Sequence, residues 1–205
     1  MSPRSDASPT SNLAAAISLV LVAAGSSRRM GGENKLLLPW TEKTLIEASL
    51  APFLDRGFGE LIAVTGHDAE AVASVLAPYP IRVVHNPDHT RGLGASLAAG
   101  IAACSADAVG FLIALADMPR IPRDLPERMV VAFSRDPQNI VVPVREGRKG
   151  HPVLFGAAYR QDLLDLDGDR GARSILEAHS SRLTTVPAGD IGIFFDVDRP
   201  SDLST

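Results

Sequence analysis

The sequence predicts a single α/β domain built around a mainly parallel sheet. Apolar runs of strand length alternate with helical segments about ten residues long, as in successive βαβ units. The runs at residues 17–22 and 108–114 are predominantly apolar, which is typical of strands covered on both faces. A chain of 205 residues, 45% of them hydrophobic, is long enough to bury one such core without disulfides.

Each element follows from its local pattern. Strands are indicated by short β-branched or apolar runs, and helices by apolar positions that recur every three or four residues. Asp68 is expected to cap the helix that follows the second strand. In chain order the sequence predicts a strand at 17–22, a helix at 45–54, a strand at 60–65, a helix after residue 68, a strand at 81–84, a helix at 96–103, strands at 108–114 and 139–142, helices at 157–164 and 172–179, and a strand at 183–186.

Residues 1–12, rich in Ser, Pro and Asp, are expected to form a flexible N-terminal tail, and residues 13–205 the domain. The apolar run at 13–24 has some features of a signal peptide. However, it is shorter than the roughly 20 apolar residues that a bilayer span needs. Because it leads into a glycine-rich, basic loop, we interpret it as a buried strand that delivers a binding loop.

Composition excludes several classes of function. The chain has 20 basic and 24 acidic residues, a formal net charge of −4, whereas nucleic-acid binding usually leaves a basic excess. The single cysteine, Cys104, excludes an internal disulfide framework and is expected to be a small buried residue. His85 and His89 have a helical zinc spacing, but Pro87 between them argues against a helix. We therefore expect a cytoplasmic protein without membrane or nucleic-acid partners.

The loop after the first strand predicts phosphate binding. In parallel sheets ligands bind at the carboxyl ends of strands, and this loop begins with Ala23, Ala24, Gly25 and Ser26. Glycine lets the backbone approach an anion, and the basic residues Arg28 and Lys35 can contact phosphate oxygens. The alternative is a solvated surface loop with scattered basic residues. The loop is neither a P-loop nor a GxGxxG dinucleotide fingerprint.

A second loop, Gly92-Leu93-Gly94-Ala95-Ser96-Leu97, nearly matches that fingerprint, but Leu97 stands where the third glycine should be. Its small residues, Gly94 and Ser96 above all, would let a base or ribose lie against the backbone. The alternative is simply a flexible start to a helix.

Carboxylates follow two apolar segments. Asp117 ends the most hydrophobic predicted strand, and Asp196 and Asp198 follow the apolar residues 191–195. Mg²⁺ is commonly held by one or two carboxylates together with substrate phosphates, so Asp117 and Asp198 are the candidate Mg²⁺ ligands, with Asp196 a weaker one. A turn-forming Asp is the alternative for each of them.

Two further residues are candidates for binding a second substrate. His151, which precedes Pro152 and an apolar run, is a candidate to line the strand-end crevice or to serve as a hydrogen-bonded structural residue. Arg173, in the segment Gly168-Asp169-Arg170-Gly171-Ala172-Arg173, could contact an anion. The alternative reading of that segment is an ordinary helix start capped by Asp169.

Taken together, these segments resemble those of a known family. VAAGSSRRMGGENKLLLP resembles the signature of MobA-like NTP transferases, the molybdopterin nucleotidyltransferases. The segments VTGHDAEAV, NPDHTRGLGASLAAGI, ALADMPRI, KGHPVLF, GDRGAR and DVDRPSDL follow in the family's order. The resemblance implies a single-domain, Rossmann-like glycosyltransferase-A (nucleotide-diphospho-sugar transferase) fold with a mainly parallel sheet. It also implies a Mg²⁺–NTP substrate and nucleotide transfer to molybdopterin.

Within that family, Ala23-Ala24-Gly25 resembles the cytidylyltransferase branch, which implies CTP rather than GTP. The segment after Pro39 and the residue Ala98 depart from the family pattern, near where the acceptor or triphosphate would lie. By resemblance, Arg28, Lys35 and Asp117 carry catalysis, the residues from Ala23 to Ser26 together with Gly94 and Ser96 bind the nucleotide, and His151 and Arg173 contact the acceptor. A molybdenum enzyme would receive the product.

Three alternatives stay open from the sequence. One is a nucleotidyltransferase acting on a sugar phosphate or another small phosphate ester, and another is a guanylyltransferase that uses GTP. The third is a non-catalytic nucleotide sensor or a chaperone for molybdenum enzymes, which would not need Asp117 and Asp198. The presence of both carboxylates favours catalysis.

Overall fold

The computed structural model describes residues 9–25 and 33–204, which form a mixed α/β domain. The strands are β1 (Ile17–Ala23), β2 (Pro39–Trp40), β3 (Lys43–Thr44), β4 (Glu60–Thr65), β5 (Arg82–His85), β6 (Gly110–Leu115), β7 (Ile140–Arg145), β8 (Arg148–Lys149), β9 (Val153–Gly156) and β10 (Leu183–Pro187). Seven of them follow one another across the main sheet in the order β10-β7-β9-β6-β1-β4-β5, β8 pairs with β7, and β2 and β3 form a separate two-stranded ribbon.

The sheet is mainly parallel, as the sequence predicts. Strand β1 lies at its centre, parallel to both β4 and β6, and β5 and β10 are each parallel to their neighbour. Two strands are exceptions: the short β8 pairs antiparallel with β7, and β9 runs antiparallel between β6 and β7. This reversal brings the beginning of β9 to the same edge of the sheet as the end of β6, where Val153 is paired with Ile113.

Helices cover both faces of the sheet. They are α1 (Pro9–Ala14), α2 (Leu45–Leu50), α3 (Ala69–Leu76), α4 (Leu93–Ala103), α5 (Leu125–Phe133), α6 (Arg160–Leu164) and α7 (Arg173–Ala178), together with short 3₁₀ turns at Lys35–Leu37, Ala51–Phe53, His89–Arg91, Ala157–Tyr159, Ser180–Arg182, Ile191–Phe194 and Pro200–Ser204. None of the helices in these described ranges has the length and apolar character required to cross a bilayer.

Two hydrophobic cores lie on opposite sides of the sheet, and β1 contributes to both. Its side chains alternate between the faces: Leu19 and Leu21 pack into one core, and Val20 and Val22 into the other. Every residue of β1 is buried, which explains why the strand is apolar without a polar face. Helix α4 approaches the strand so closely that a Cβ on Gly100 would lie 2.5 Å from Cγ1 of Val20.

The structure corrects several expected boundaries. Residues 9–12, expected in a flexible tail, belong to α1, because Ala14 is buried and Leu13 packs against the core. Asp68 stands at the N-cap position of α3, but its φ of 52° is left-handed and its side chain makes no capping hydrogen bond.

Other differences follow from proline and from caps that the sequence pattern does not reveal. The helix expected at 45–54 ends as α2 at Leu50 and continues as a 3₁₀ turn that contains Pro52. Asp169 does not cap α7, whose N-cap is Ala172. Helix α5 was not predicted, since Pro122 and Pro126 interrupt the pattern around its start.

Candidate active site

The strand-end loops meet at one edge of the sheet. The segment after β6 stays beside the end of β1, because the amide of Ala116 donates to the carbonyl of Val22 over 3.0 Å. The next residue is Asp117, which is half-buried at this edge. The amide of Val197 donates to the carbonyl of Asp117 over 3.0 Å, so residues 196–198 are held against the same strand end.

Three carboxylates converge there. One oxygen from each of Asp117, Asp196 and Asp198 lies within 4.8 Å of the others. Carboxylate oxygens are the hard ligands that Mg²⁺ prefers, so the chemistry of this donor set fits the ion that the sequence predicts. The backbone hydrogen bond of Val197 brings the last two into place, although they are about 80 residues from Asp117 in the chain.

Aromatic packing supports the segment that carries Asp196 and Asp198. The guanidinium of Arg120 lies 4.2 Å from the ring centroid of Phe195 and 5.6 Å from that of Trp40. The Trp40 and Phe195 rings are themselves 5.9 Å apart. Trp40 belongs to the segment that departs from the family pattern, and here it helps to fix the backbone just before Asp196.

Lys35 lies inside the carboxylate cluster. Its Nζ donates to Oδ2 of Asp117 and to the carbonyl of Val197, each over 2.7 Å, and to Oδ1 of Asp198 over 3.3 Å. The residue is buried, and it begins a 3₁₀ turn capped by Asn34, whose Oδ1 accepts from the amide of Leu36. The sequence predicted Lys35, Asp117 and Asp198 as site residues, and the structure brings all three together.

Electrostatics distinguish the third carboxylate. Partial desolvation, followed by the negative charges of Asp117 and Asp198, raises the pKa of Asp196 above its ordinary value. Asp196 is nevertheless on the solvent-exposed side of the cluster, whereas Asp117 and Asp198 both accept hydrogen bonds from Lys35. Asp117 and Asp198 therefore remain the stronger pair of candidate ligands.

A cavity of about 290 Å³ opens beside the end of β1. Ala24, which is buried, and Gly25 form one wall, and Ser96 near the start of α4 forms another. The hydroxyl of Ser96 accepts a hydrogen bond from Nδ2 of the buried Asn86 over 3.1 Å. Ala23 precedes this wall in β1 and packs into the core instead. The remaining lining residues are Val22, His89, Thr90, Gly92, Leu93 and Asp169.

Gly94 does not line this cavity. A Cβ on Gly94 would lie 2.7–2.8 Å from backbone atoms of Asp167, and its amide donates to the carbonyl of Gly168 over 2.8 Å. Gly92, with a φ of +113°, also faces the backbone of Gly168. Both glycines thus let the segment 167–171 pack against the start of α4, which is a structural reason for the glycine spacing.

A second, larger cleft of about 480 Å³ lies on the other side of that segment. Its floor is apolar and includes Leu97, Ile113 and Phe155. Leu93 borders both cavities, and residues 167–173 stand between them, with Asp169 on the smaller cavity and Arg173 on the cleft. The other residues that line the cleft are Leu115, Gly147, Lys149, Gly150, Val153, Arg170, Ala172, Leu176 and Glu177.

His151 lies in the wall of this cleft, just before β9. Its amide donates to the carbonyl of Ile193, whereas its buried Nδ1 has no hydrogen-bond partner among the described residues. Burial lowers the pKa of His151, although the nearby charge of Asp117 opposes the shift. A neutral imidazole with an unused ring nitrogen therefore borders the cleft on the side of the carboxylates.

The rim of the cleft is basic. Glu177 pairs with Nε of Arg173 over 2.9 Å and with a terminal nitrogen of Arg170 over 3.2 Å. These side chains are exposed, so the pairs contribute little to stability but hold two guanidinium groups near one opening. Lys149 adds a third basic side chain. An apolar floor with a basic rim suits an anionic ligand that carries a flat, poorly hydrated body.

The structure does not describe every predicted site residue, because Ser26 and Arg28 are outside the described ranges. Conversely, sequence reasoning missed Thr90 and Lys149 as lining residues, and it gave Asp169 only a capping role. The carbonyl of Val197, which accepts from Lys35, left no signal in the sequence because every residue has such a group.

The fold and this strand-end site define a nucleotidyltransferase of the nucleotide-diphospho-sugar transferase fold. The family model described as the MobA-like NTP transferase domain matches residues 19–183. The chain therefore belongs to the MobA-like NTP transferase family.

Two curated relatives match along most of their length. The nicotine blue oxidoreductase of Paenarthrobacter nicotinovorans is 32% identical over 185 residues, covering 87% of this chain and 90% of the relative. The molybdenum cofactor cytidylyltransferase of Escherichia coli K12 is 27% identical over 191 residues, covering 93% of this chain and 95% of the relative.

Solved structures agree with the fold. The crystal structure of Rv0371c from Mycobacterium tuberculosis H37Rv superposes with a TM-score of 0.82 and 29% identity, covering 92% of this chain and 95% of that one. The same protein in complex with manganese gives a TM-score of 0.78 and 26% identity, covering 92% and 96%.

Proposed function

We propose that the protein transfers CMP from CTP to the terminal phosphate of molybdopterin and releases pyrophosphate in a Mg²⁺-dependent reaction. The observation that carries the proposal is the cluster of Asp117, Asp198 and Lys35, which shares one sheet edge with Ala24 of the smaller cavity and His151 of the larger cleft. Family membership and the similarity to the Escherichia coli cytidylyltransferase support it.

The reaction needs no protein nucleophile. The acceptor phosphate oxygen is already anionic, and it attacks the α-phosphorus of CTP in line. A new P–O bond forms as the bond from the α-phosphorus to the bridging oxygen breaks, and pyrophosphate carries away the electron pair. Catalysis then consists of positioning and of neutralising phosphate charge. Mg²⁺, when bound to Asp117 and Asp198, would supply part of that neutralisation.

The chain's own residues have distinct roles in this proposal. Gly25, Ser26 and Arg28 bind the triphosphate, and Lys35 adds positive charge as pyrophosphate forms. Ala24 and Ser96 contact the base or ribose in the smaller cavity, which suits a compact nucleoside. His151 and Arg173 contact the acceptor in the larger cleft, whose apolar floor suits a pterin ring and whose rim suits its phosphate.

We propose that the enzyme works in the cytoplasm, in keeping with its single, buried cysteine, and passes its dinucleotide product to a molybdenum enzyme.

Pyrophosphate release tests the proposed substrates. The purified protein is incubated with CTP or GTP, Mg²⁺ and either molybdopterin or a set of sugar phosphates. We expect release only with molybdopterin, and faster release with CTP than with GTP. Release that requires a sugar phosphate would overturn the acceptor, and faster release with GTP would overturn the nucleotide.

A second candidate follows from the 32% identity to nicotine blue oxidoreductase. The apolar cleft of about 480 Å³ is large enough for a flat dye, and reduction of a dye has no need for paired carboxylates. Reduction of nicotine blue by an added reduced nicotinamide nucleotide is measured with wild type and Asp117→Asn. Dye reduction that survives this substitution, without pyrophosphate release in the first assay, favours the oxidoreductase.

A further inference from the structure

Lys35, which is proposed to bind phosphate, is hydrogen-bonded within the protein. Its Nζ already has three oxygen acceptors in the protein, contributed by Asp117, Val197 and Asp198 at 2.7, 2.7 and 3.3 Å. An ammonium group has three N–H donors, so these contacts already engage it within the protein. The 3₁₀ turn that carries Lys35 is fixed as well, since Asn34 caps it and donates from Nδ2 to the carbonyl of His67.

Two of these acceptors are the residues that would hold a divalent cation. Asp117 and Asp198 belong to the three-carboxylate cluster, and Lys35 is hydrogen-bonded to both. A cation bound to the same two carboxylates would lie within a few ångströms of Nζ. Two positive charges at that separation in a partly buried site repel strongly, because little water screens them.

We infer that the ammonium of Lys35 is an internal counter-ion that competes with the divalent cation for Asp117 and Asp198. In the absence of metal, Lys35 compensates the carboxylates that would otherwise repel one another. When a divalent cation takes those oxygens, Lys35 leaves them, and its charge becomes available to the phosphates of the nucleotide. This last step rests on the proposed function, whereas the competition itself rests on the contacts of Lys35 and on the carboxylate cluster as a cation site.

Binding of Mn²⁺ alone, without nucleotide or acceptor, tests the competition. Lys35→Gln keeps a polar side chain but removes the charge, and Lys35→Met removes the charge with an apolar side chain of similar length. We expect both variants to bind Mn²⁺ about tenfold more tightly than wild type in calorimetric titrations, because a neighbouring positive charge is gone. Lys43→Gln is the matched control, since Lys43 is exposed and faces Tyr79 instead.

A second readout separates this role from a structural one. With Mn²⁺ at saturation, the Lys35 variants should bind CTP more weakly than wild type, so that metal and nucleotide affinities move in opposite directions. If the role of Lys35 were only structural, its substitution would weaken the binding of both Mn²⁺ and CTP. Folded variants that bind Mn²⁺ no more tightly than wild type would overturn the competition, whatever substrate the enzyme uses.

The wild-type protein supplies a test that needs no variant. Limited lysine acetylation, read by mass spectrometry, should leave Lys35 protected in the absence of divalent cation and modify it when Mg²⁺ is added. Lys43 should react equally in both conditions. Equal protection of Lys35 with and without Mg²⁺ would contradict its release. Since these experiments contain no acceptor, their failure is distinct from a failure of the proposed reaction.

Discussion

At the level of single residues, the proposed preference for CTP rests on Ala24. Its side chain is buried at the end of β1 and lines the smaller cavity. If the base lies against this methyl group, a pyrimidine has room that a purine lacks. A steric difference of one methyl group is worth about 1–3 kcal/mol, or roughly 10- to 200-fold in discrimination.

The substitution Ala24→Gly should therefore relax the preference for CTP by admitting GTP. The measurement is kcat/KM for both nucleotides in both proteins, with Mg²⁺ dependence unchanged because Asp117 and Asp198 are untouched. Ala23→Gly is the matched control, since Ala23 is equally buried but packs into the core. Equal kcat/KM values for CTP and GTP in the wild type would refute the steric argument.

The buried His151 should make the free energy of unfolding of the protein depend on pH. Because burial lowers its pKa, the unfolded chain binds a proton in a range of pH where the folded protein does not. The free energy of unfolding should fall as pH decreases from about 6.5, the ordinary value for histidine, through the lower folded-state pKa. His151→Gln removes this contribution, so its stability should decline less than that of wild type.

Urea unfolding at pH 8.0 and at pH 5.5 checks the prediction. At pH 8.0 His151 is neutral in both the folded and the unfolded protein, so the comparison of wild type with His151→Gln at that pH measures only the effect of the substitution on packing. The change in this stability difference between pH 8.0 and pH 5.5 then gives the contribution of histidine protonation. An unchanged decline in His151→Gln would show that other groups cause the acid sensitivity.

The sequence indicated candidate residues for the site but not the contacts between them. Asp117 and Asp198 were candidates because each carboxylate follows an apolar segment, and Lys35 because it follows the glycine-rich loop. The direct contact between Lys35 and the carboxylates was not predictable, since it depends on the backbone hydrogen bond that brings Val197 to Asp117. Long-range pairing of this kind has no local sequence signal.

Among the structural elements, the start of α4 and the segment 167–171 act as one unit. Gly94→Ala would place a methyl group 2.7–2.8 Å from the backbone of Asp167, a contact that requires one of the two segments to move. Overpacking of this kind typically costs about 1–3 kcal/mol. Since the displaced segment separates the smaller cavity from the cleft, we expect weaker binding of both proposed substrates as well.

Thermal unfolding and the KM values for CTP and acceptor test this prediction together. Gly189→Ala is the control, because a Cβ at Gly189 meets no atom within 4 Å. A Gly94→Ala protein with wild-type stability and both KM values unchanged would show that the glycine is not needed for packing. A rise in the KM for CTP alone would instead support the original expectation that Gly94 contacts the nucleotide.

Periodicity located most elements, but several boundaries depend on tertiary contacts. Strand β4 was predicted at its observed bounds because the residues between Glu60 and Thr65 form an unbroken apolar run, which is typical of a buried strand. Helix α4 begins three residues earlier than expected, since Gly92 allows the turn and the segment 167–171 packs on it. Helix α5 was missed because Pro126, tolerated in a first helical turn, resembles a helix breaker in the sequence.

For the molecule as a whole, alternation of strands and helices was enough to predict a mainly parallel sheet and to indicate the edge where the candidate site lies. The reversed strand β9 was not predictable from that alternation, although it decides where His151 lies. Because β9 runs antiparallel to β6, its start and the end of β6 meet at the same edge. The larger cleft therefore lies beside the carboxylates rather than at the opposite end of the sheet.

We propose that the strand-end carboxylates catalyse nucleotidyl transfer rather than merely sense a nucleotide. The most direct test is the rate of pyrophosphate release from CTP, Mg²⁺ and molybdopterin in wild type, in Asp117→Asn, and in Asp107→Asn as control. Asp107 is exposed before β6, whereas Asp117 follows the same strand. We predict a fall of about 100-fold or more in kcat for Asp117→Asn, the size typical for loss of an electrostatic catalytic group, and no change for Asp107→Asn. Undiminished release by a folded Asp117→Asn protein would contradict the account.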